Sequence, residues 1–210
     1  MIRSAVASLK RVMDVAAATM LLAVLAPLVV IVAGVVWAGL GRPVLYRDER
    51  AGFGGTPISV LKFRSMRPVA IDEAGSVTDA DRLTPLGRFL RRTSLDELPQ
   101  LLSVLKGDMS LVGPRPLPMR YVPRYSPRQR KRLDARPGIT GWAQIHGRNA
   151  VDWPERLEYD VQYVEFLDHW WAPILDLGIV AVTVFQVVRQ AVTGAGISSP
   201  GVATMREFQP

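Results

Sequence analysis

The apolar positions of this chain are concentrated at its start. From Val15 to Gly41 the sequence reads VAAATMLLAVLAPLVVIVAGVVWAGLG and contains no charged residue. This stretch exceeds the roughly 20 apolar residues that a spanning helix needs, and it is too long for the apolar core of a signal peptide. The pattern predicts a membrane-embedded helical segment over residues 1–41.

A proline and the flanking charges indicate how this segment enters the membrane. Pro27 lies near its middle, where a missing backbone donor and a clash with the preceding turn predict a kink. Cations flank both ends of the segment, namely Arg3, Lys10, Arg11, Arg42 and Arg47. A spanning helix has such charges mainly on its cytoplasmic side. Basic flanks at both ends therefore favour a re-entrant helix-break-helix over a simple span.

Residues 42–210 have the pattern of a second unit, a mostly helical α+β domain. Two short strands are predicted at 43–50 and 57–66, and the glycine-rich AGFGGT between them indicates a β-hairpin. Short helices are predicted over 84–92 and over 99–106, the second with Gly107 just past its end.

The C-terminal third adds further helical signals. RPGITGW at 136–142 predicts a tight turn, and residues 153–167 predict an amphipathic helix. The apolar stretch from Leu177 to Val188 is too short to span a bilayer by itself, and predicts an interfacial or packed helix. The expected fold is a membrane segment carrying an interfacial catalytic domain with amphipathic helices.

Composition restricts the chemistry. The chain has no cysteine and two histidines, His146 and His169, which excludes disulfides and thiolate nucleophiles and argues against a multi-histidine zinc site. Its formal net charge is +7, which suits a polyanionic partner. Residues 120–136 interleave arginines with tyrosines, as in single-stranded nucleic-acid binding, but the membrane segment favours an anionic lipid surface.

Two adjacent carboxylates, Asp96 and Glu97, follow a run of arginines. Ser94-x-x-Glu97 matches a capping box, but a helix capped at Ser94 would contain Pro99 in its interior, where proline is costly. A helix that starts near Pro99 places both acids just before its N-terminus. The residues alone leave a helix cap and a catalytic pair as equal alternatives, the latter because aspartate can attack phosphoryl groups and arginines bind phosphate.

Four stretches resemble one known family. They are KFRSM at 62–66, LTPLGRFLRRTSLDELPQLLSVLKGDMSLVGPRP at 83–116, RPGITGWAQIHGRN at 136–149 and YDVQYVEF at 159–166. Together they are similar to the bacterial sugar transferase family, in particular its small monotopic phosphoglycosyl transferases acting on polyprenol phosphate. The tail GVATMREF at 201–208 is similar to small members from bacillosamine-type pathways.

The resemblance implies a reaction and a location. A UDP-sugar would give its phosphosugar to undecaprenyl phosphate, releasing UMP, as the first membrane step of glycoconjugate biosynthesis. The enzyme would lie on the cytoplasmic face of the bacterial inner membrane, with magnesium as cofactor, membrane lipids as partners and no nucleic acid. A homodimer is left open.

The resemblance also implies roles for individual residues. Asp96 would be the nucleophile that forms an aspartyl-phosphosugar, with Glu97 as its partner, both near magnesium. The implied phosphate-binding residues are Lys62, Arg91 and Arg115, with Arg88 and Arg148 as further candidate substrate contacts. Asp176 matches a further acidic position of the family.

One departure and two alternatives accompany this interpretation. The family commonly has Ser-Pro at the membrane break, whereas this chain has Ala26-Pro27, and alanine cannot bond the carbonyl that a kink frees. A membrane-tethered nucleic-acid-binding or scaffolding protein would need the arginines but not the acids. A transferase that moves only the sugar would release UDP. The sequence has no glycine-rich nucleotide-binding fingerprint that would support a transferase of the sugar alone. The Asp-Ala-Asp at 79–81 has the spelling of an Asp-x-Asp pair, but it lies in a polar loop.

Overall fold

The structure is a computed structural model that describes residues 2–67, 82–147, 151–193 and 208. The described part is mostly helical with two small sheets, which confirms the expected α+β class. The α-helices are α1 (Ile2–Leu40), α2 (Pro85–Arg92), α3 (Gln100–Lys106), α4 (Pro127–Arg130), α5 (Trp142–Ile145), α6 (Trp153–Phe166) and α7 (Ala172–Thr193). The strands are β1 (Leu45–Ala51), β2 (Pro57–Phe63), β3 (Ser110–Val112) and β4 (Gly138–Thr140). Short 3₁₀ helices cover Phe53–Gly55, Leu95–Glu97, Met119–Arg124 and Lys131–Asp134.

Helix α1 runs without interruption through Pro27. The helix-break-helix predicted at Pro27 is therefore not observed, because both sides of the proline belong to one helix. Proline removes a single backbone donor, and the turns on either side of it keep their own hydrogen bonds. The helix is long and apolar enough to cross a membrane by length and composition, over Ser4–Leu40.

Helix α7 passes the same test of length and composition over Ala172–Thr193, because the helix extends beyond the apolar stretch Leu177–Val188 at both ends. The apolar core seen in the sequence, Leu177–Val188, lies inside a helix of 22 residues. Polar residues at its ends, among them Gln190, remain helical.

Both halves of α1 pack against the same body of the protein. Ala18 is fully buried in a cluster with Val60, Leu101, Val104 and Met109. Farther along, Val32 and Val36 are buried against Phe63 and Leu90, which belong to β2 and α2. The opposite side of α1 remains exposed, as at Val24, which is 70% accessible, and Trp37. One side of α1 therefore packs against the domain, and its opposite side is an exposed apolar surface.

The predicted hairpin is confirmed. Strands β1 and β2 are antiparallel, with Leu45 opposite Phe63 and Ala51 opposite Pro57. The loop turns at Gly54, where φ is 65°, a backbone conformation that glycine adopts without steric cost. The pair presents alternate residues of β2, including Val60 and Lys62, on one face.

The tight turn predicted at RPGITGW was wrong. Gly138–Thr140 form a strand, β4, which pairs in parallel with β3, so that Ser110 lies opposite Gly138. The strands approach closely, since a Cβ atom on Gly138 would lie 2.1 Å from the backbone nitrogen of Gly113. The partner strand is more than twenty residues away in sequence, so no local signal identified the pairing.

The cations of residues 120–136 do not form one exposed basic surface. Arg132 is 2% accessible, and its Nη2 donates to Asp160 at 2.7 Å in a buried ion pair. Arg128 is exposed and paired with Glu158 and Glu165. A buried charge is kept only where it is paired, so part of this basic stretch is structural.

Candidate active site

The two adjacent acids lie in the 3₁₀ turn that links α2 to α3. Ser94, just before the turn, has φ 55° and makes no side-chain cap, so the capping box that its spacing suggested is not formed. Helix α3 begins at Gln100, behind Pro99, and ends at Gly107 with φ 94°. The helix bounds therefore agree with the start predicted near Pro99, and the acids precede the helix.

Glu97 is held by two cations. Lys62 Nζ on β2 donates to its Oε1 at 3.0 Å, and Arg115 Nη2 donates to the same oxygen at 3.2 Å. Burial alone would raise the pKa of Glu97, but the charges and hydrogen bonds of Lys62 and Arg115 outweigh it and lower the pKa to about 2. Glu97 is therefore a permanent anion that fixes both cations.

Asp96 has the opposite environment. It is 7% accessible and makes no hydrogen bond or ion pair within the described part of the chain. Burial, followed by the neighbouring charge of Glu97, raises its pKa to about 6, against the opposing charges of Lys62, Arg91 and Arg115. A buried carboxylate without donors is poorly solvated, which leaves its oxygens available to react.

A small cavity opens beside Glu97, and Asp96, the adjacent residue in the chain, is not among its lining residues. Its volume is about 30 Å³. The lining residues are Arg50, Val60, Lys62, Glu97, Gln100, Arg115, Pro116 and Gly138. Polar groups from three parts of the fold therefore meet at this cavity. They come from the β1–β2 hairpin, from the start of α3, and from the segment that links β3 to the 3₁₀ helix Met119–Arg124. Three cations and one carboxylate in such a space suit an anionic ligand with phosphate groups.

The other cations proposed from the sequence have different positions. Arg91 donates from Nε to Ser65 Oγ at 3.0 Å, and its charge acts on Asp96. Arg88 is exposed on α2, donates to the carbonyl of Leu83, and does not line the cavity. Arg148, like the Asp-Ala-Asp at 79–81, lies outside the described residues.

Asp176 lies at a different place from the acid pair. It accepts from Lys10 Nζ at 2.6 Å and from the Tyr163 hydroxyl at 2.8 Å. It does not line the cavity. These bonds join α7 to α1 and α6, so the contacts of Asp176 are those of a connection between helices.

Sequence reasoning missed several residues around the cavity. Arg50 and Gln100 line it, and Arg132 stands behind Arg115, donating to its backbone carbonyl at 2.6 Å. The alternation of β1 and β2 could have identified Arg50, because hairpin pairing places it on the same face as Lys62. Arg132 had no such signal, since its burial depends on Asp160 of α6.

The carboxylates fit a magnesium ion that carries a phosphorylated substrate. In the described ranges no group of three or more His, Cys, Asp or Glu side chains could hold a metal, so a cage made of protein ligands alone is not present there. Magnesium, however, is usually bound by one or two carboxylates together with substrate phosphates. Asp96, which makes no hydrogen bond within the described residues, and its neighbour Glu97 would supply that donor set.

A buried carboxylate close to three cations, beside a long apolar helix, is the arrangement expected of a membrane-associated enzyme with a phosphorylated substrate. The model of the bacterial sugar transferase family matches residues 5–190, and the chain belongs to that family. It is 43% identical over 200 residues to an uncharacterized sugar transferase, EpsL, of Bacillus subtilis, covering 95% of each chain.

Two further relatives have names that state an activity. The chain is 43% identical over 192 residues to the UDP-glucose:undecaprenyl-phosphate glucose-1-phosphate transferase of Caulobacter vibrioides, covering 87% of this chain and 70% of that one. It is 38% identical over 202 residues to the undecaprenyl-phosphate galactose phosphotransferase of Salmonella typhimurium, covering 87% of this chain and 41% of the relative. Relatives of similar identity thus carry the names of different sugars.

Proposed function

We propose that this enzyme transfers a phosphosugar from a UDP-sugar to undecaprenyl phosphate, releasing UMP and forming an undecaprenyl diphosphate sugar. The observation that carries the proposal is the contrast between the two acids. Asp96 is buried and accepts no hydrogen bond from the part of the chain that the structure describes, while Glu97 binds Lys62 and Arg115. The names of the relatives support the donor and acceptor classes.

In this proposal Asp96 acts as the nucleophile. Its carboxylate oxygen attacks the phosphorus that bears the sugar, the bridging P–O bond breaks, and the nucleoside monophosphate leaves with the electron pair. The phosphate of undecaprenyl phosphate then attacks the aspartyl-phosphosugar and frees Asp96. A carboxylate nucleophile divides one difficult displacement into two easier ones.

Lys62 and Arg115 have the electrostatic role. Both are already fixed by Glu97, so no reorganisation is needed when charge builds on the phosphoryl oxygens. Arg91 lies close enough for its charge to favour the ionised form of Asp96. When bound, magnesium would neutralise phosphate charge; Asp96 and Glu97 would hold it.

The membrane arrangement follows from the two ends of α1. Arg11 donates to the carbonyls of Val104 and Leu105 at 2.6 Å and 3.0 Å, and at the other end Arg64 donates to the carbonyls of Leu40 and Gly41. Polar flanks bound to one polar domain do not lie on opposite sides of a bilayer. We therefore place both flanks on the cytoplasmic face, as their basic charge predicts, with the exposed apolar side of α1 turned toward the membrane.

Site-directed labelling tests this topology. Cysteines introduced singly at positions 5 and 45 of this cysteine-free chain should react with a membrane-impermeant thiol reagent in inverted vesicles and not in intact cells. Labelling of either position from outside the cell would contradict the arrangement.

Nucleotide release tests the reaction. Purified protein in detergent would receive undecaprenyl phosphate, magnesium and a panel of UDP-sugars, beside an Asp96→Asn variant. The expected result is UMP release that depends on the lipid and is lost in the variant. Release of UDP would mean transfer of the sugar alone, and activity retained by Asp96→Asn would exclude this carboxylate as nucleophile.

A further inference from the structure

The cavity contains a cation that the proposed chemistry has not used. Arg50 on β1 lines the same space as Lys62 and Arg115, but it does not contact the acid pair. Its Nε donates to Asp48 Oδ2 at 2.7 Å, and its Nη2 donates to the same oxygen. The guanidinium has five donors, so this pair leaves donors for a further acceptor.

The hairpin fixes where this guanidinium points. Asp48 lies opposite Val60 and Arg50 lies opposite Ile58, so the alternation of the strands places Arg50 on the face that also carries Lys62. Asp48 and Arg50 are two residues apart on that face, which lets Asp48 hold the guanidinium from its own strand. The Arg50 head is therefore positioned by a neighbour before any ligand arrives.

Gln100 provides a second observation at the same place. It is 3% accessible, it lines the cavity, and its side chain makes no hydrogen bond within the described part of the chain. Its amide atoms are not among the fully buried atoms that lack a partner, so they remain accessible from the cavity and can hydrogen-bond a polar ligand there.

The lining cations differ in their partners. Lys62 and Arg115 donate to Glu97, whereas Arg50 is paired with Asp48 and makes no hydrogen bond or ion pair with Asp96 or Glu97 among the described residues. Arg50 is thus the lining cation that is not bound to the acid pair. In an in-line displacement the leaving phosphate lies opposite the nucleophile.

We infer that Arg50, positioned by Asp48, binds the phosphate that departs with the nucleoside, and that Gln100 supplies a neutral hydrogen bond to the same substrate. The inference rests on the proposed function and names the leaving-group subsite within it. As the bridging P–O bond breaks, its electron pair stays on the oxygen of the nucleoside monophosphate, and Arg50 neutralises that charge. The Asp48–Arg50 pair is partly buried, with side-chain accessibilities of 22% and 27%, so the guanidinium is held in place and still accessible to a ligand.

Binding of two ligands that differ only in the phosphate tests this inference. Isothermal titration calorimetry would compare UMP with uridine on the detergent-solubilised full chain, for wild type, Arg50→Gln and Asp48→Asn. Arg128→Gln is the matched control, because Arg128 is also paired with a carboxylate but lies on the exposed surface.

The expected result is specific to the phosphate. Arg50→Gln should weaken UMP binding on the order of tenfold or more, as for the loss of a charge-assisted hydrogen bond, and leave uridine binding unchanged. Asp48→Asn should weaken UMP less, and Arg128→Gln should behave as wild type. In turnover, Arg50→Gln should raise the KM for the UDP-sugar but not that for undecaprenyl phosphate.

Three outcomes would overturn the inference. UMP affinity within twofold of wild type in Arg50→Gln would exclude the subsite, and an equal loss for UMP and uridine would mean a structural role. A change confined to the KM for undecaprenyl phosphate would assign Arg50 to the acceptor. Failure of the proposed function is distinguishable, since the wild-type enzyme would then release no lipid-dependent UMP with any donor.

Discussion

The two adjacent acids should respond to the same chemical change in opposite directions. Replacing Asp96 with asparagine should stabilise the metal-free protein near neutral pH, and replacing Glu97 with glutamine should destabilise it. The reason is that the fold disfavours the charge of Asp96, which has no donor, and favours that of Glu97, which has two cations. Both changes keep the shape of the side chain and remove one charge.

The magnitudes follow from the two pKa values. The pKa of Asp96 is raised from 3.8 to about 6 and that of Glu97 is lowered from 4.5 to about 2. Each pKa unit corresponds to about 1.4 kcal/mol, so each charge changes the free energy of unfolding by up to about 3 kcal/mol, with opposite signs. For a chain of this size that is a shift of roughly 6–12 °C in Tm.

The pH dependence gives the sign. The pKa of Asp96 is higher in the folded than in the unfolded state, so the protonated carboxyl favours folding. This contribution to the free energy of unfolding is fully present below about pH 4 and is lost as the pH rises to about 6. The advantage of Asp96→Asn should therefore grow between pH 4 and pH 6. The pKa of Glu97 is lower in the folded state, so its charge contributes fully to the free energy of unfolding above about pH 4.5. The loss of stability in Glu97→Gln should therefore stay constant from pH 5 to pH 8.

Thermal unfolding in detergent with a chelator, followed by tryptophan fluorescence from pH 5 to pH 8, measures both effects. A Tm of Asp96→Asn below wild type at pH 7, comparable to that of Glu97→Gln, would refute the reasoning, because it would mean that the Asp96 charge is favoured by the fold. A stabilised but inactive Asp96→Asn would show that the site keeps a strained charge for the reaction.

Three further changes test other parts of the fold by the same melting assay. Ser94→Gly should raise stability by about 0.5–1 kcal/mol, because its φ of 55° suits glycine; a lower Tm would contradict a strained backbone. Arg132→Met should cost about 3–5 kcal/mol by leaving Asp160 unpaired, and a second change, Asp160→Leu, should recover part of the loss; no recovery would exclude the ion pair as the cause. Phe208→Ala should cost about 3–5 kcal/mol, since the ring is 1% accessible, and an unchanged Tm would show that this residue is not packed in the core.

The sequence alone determined the elements whose signals are local. The glycine-rich link between two alternating stretches specified the β1–β2 hairpin, and Pro99 and Gly107 marked the two ends of α3. The long apolar run specified α1, although its proline did not interrupt the helix. The resemblance of the central stretch also identified the family, because the signature covers contiguous residues.

Packing between elements that are distant in sequence sets which groups meet and what surrounds them. The pairing of β3 with β4 joins strands distant in sequence, and Arg132, one of many cations in its stretch, is buried because Asp160 lies opposite it. Asp96 and Glu97 are neighbours in the chain, and the sequence assigned them together. Their pKa values move in opposite directions because Lys62 of β2 and Arg115 reach the oxygen of one carboxylate and not the other. Charge in a protein depends on desolvation and on partners at a few ångströms, and those distances are set by packing.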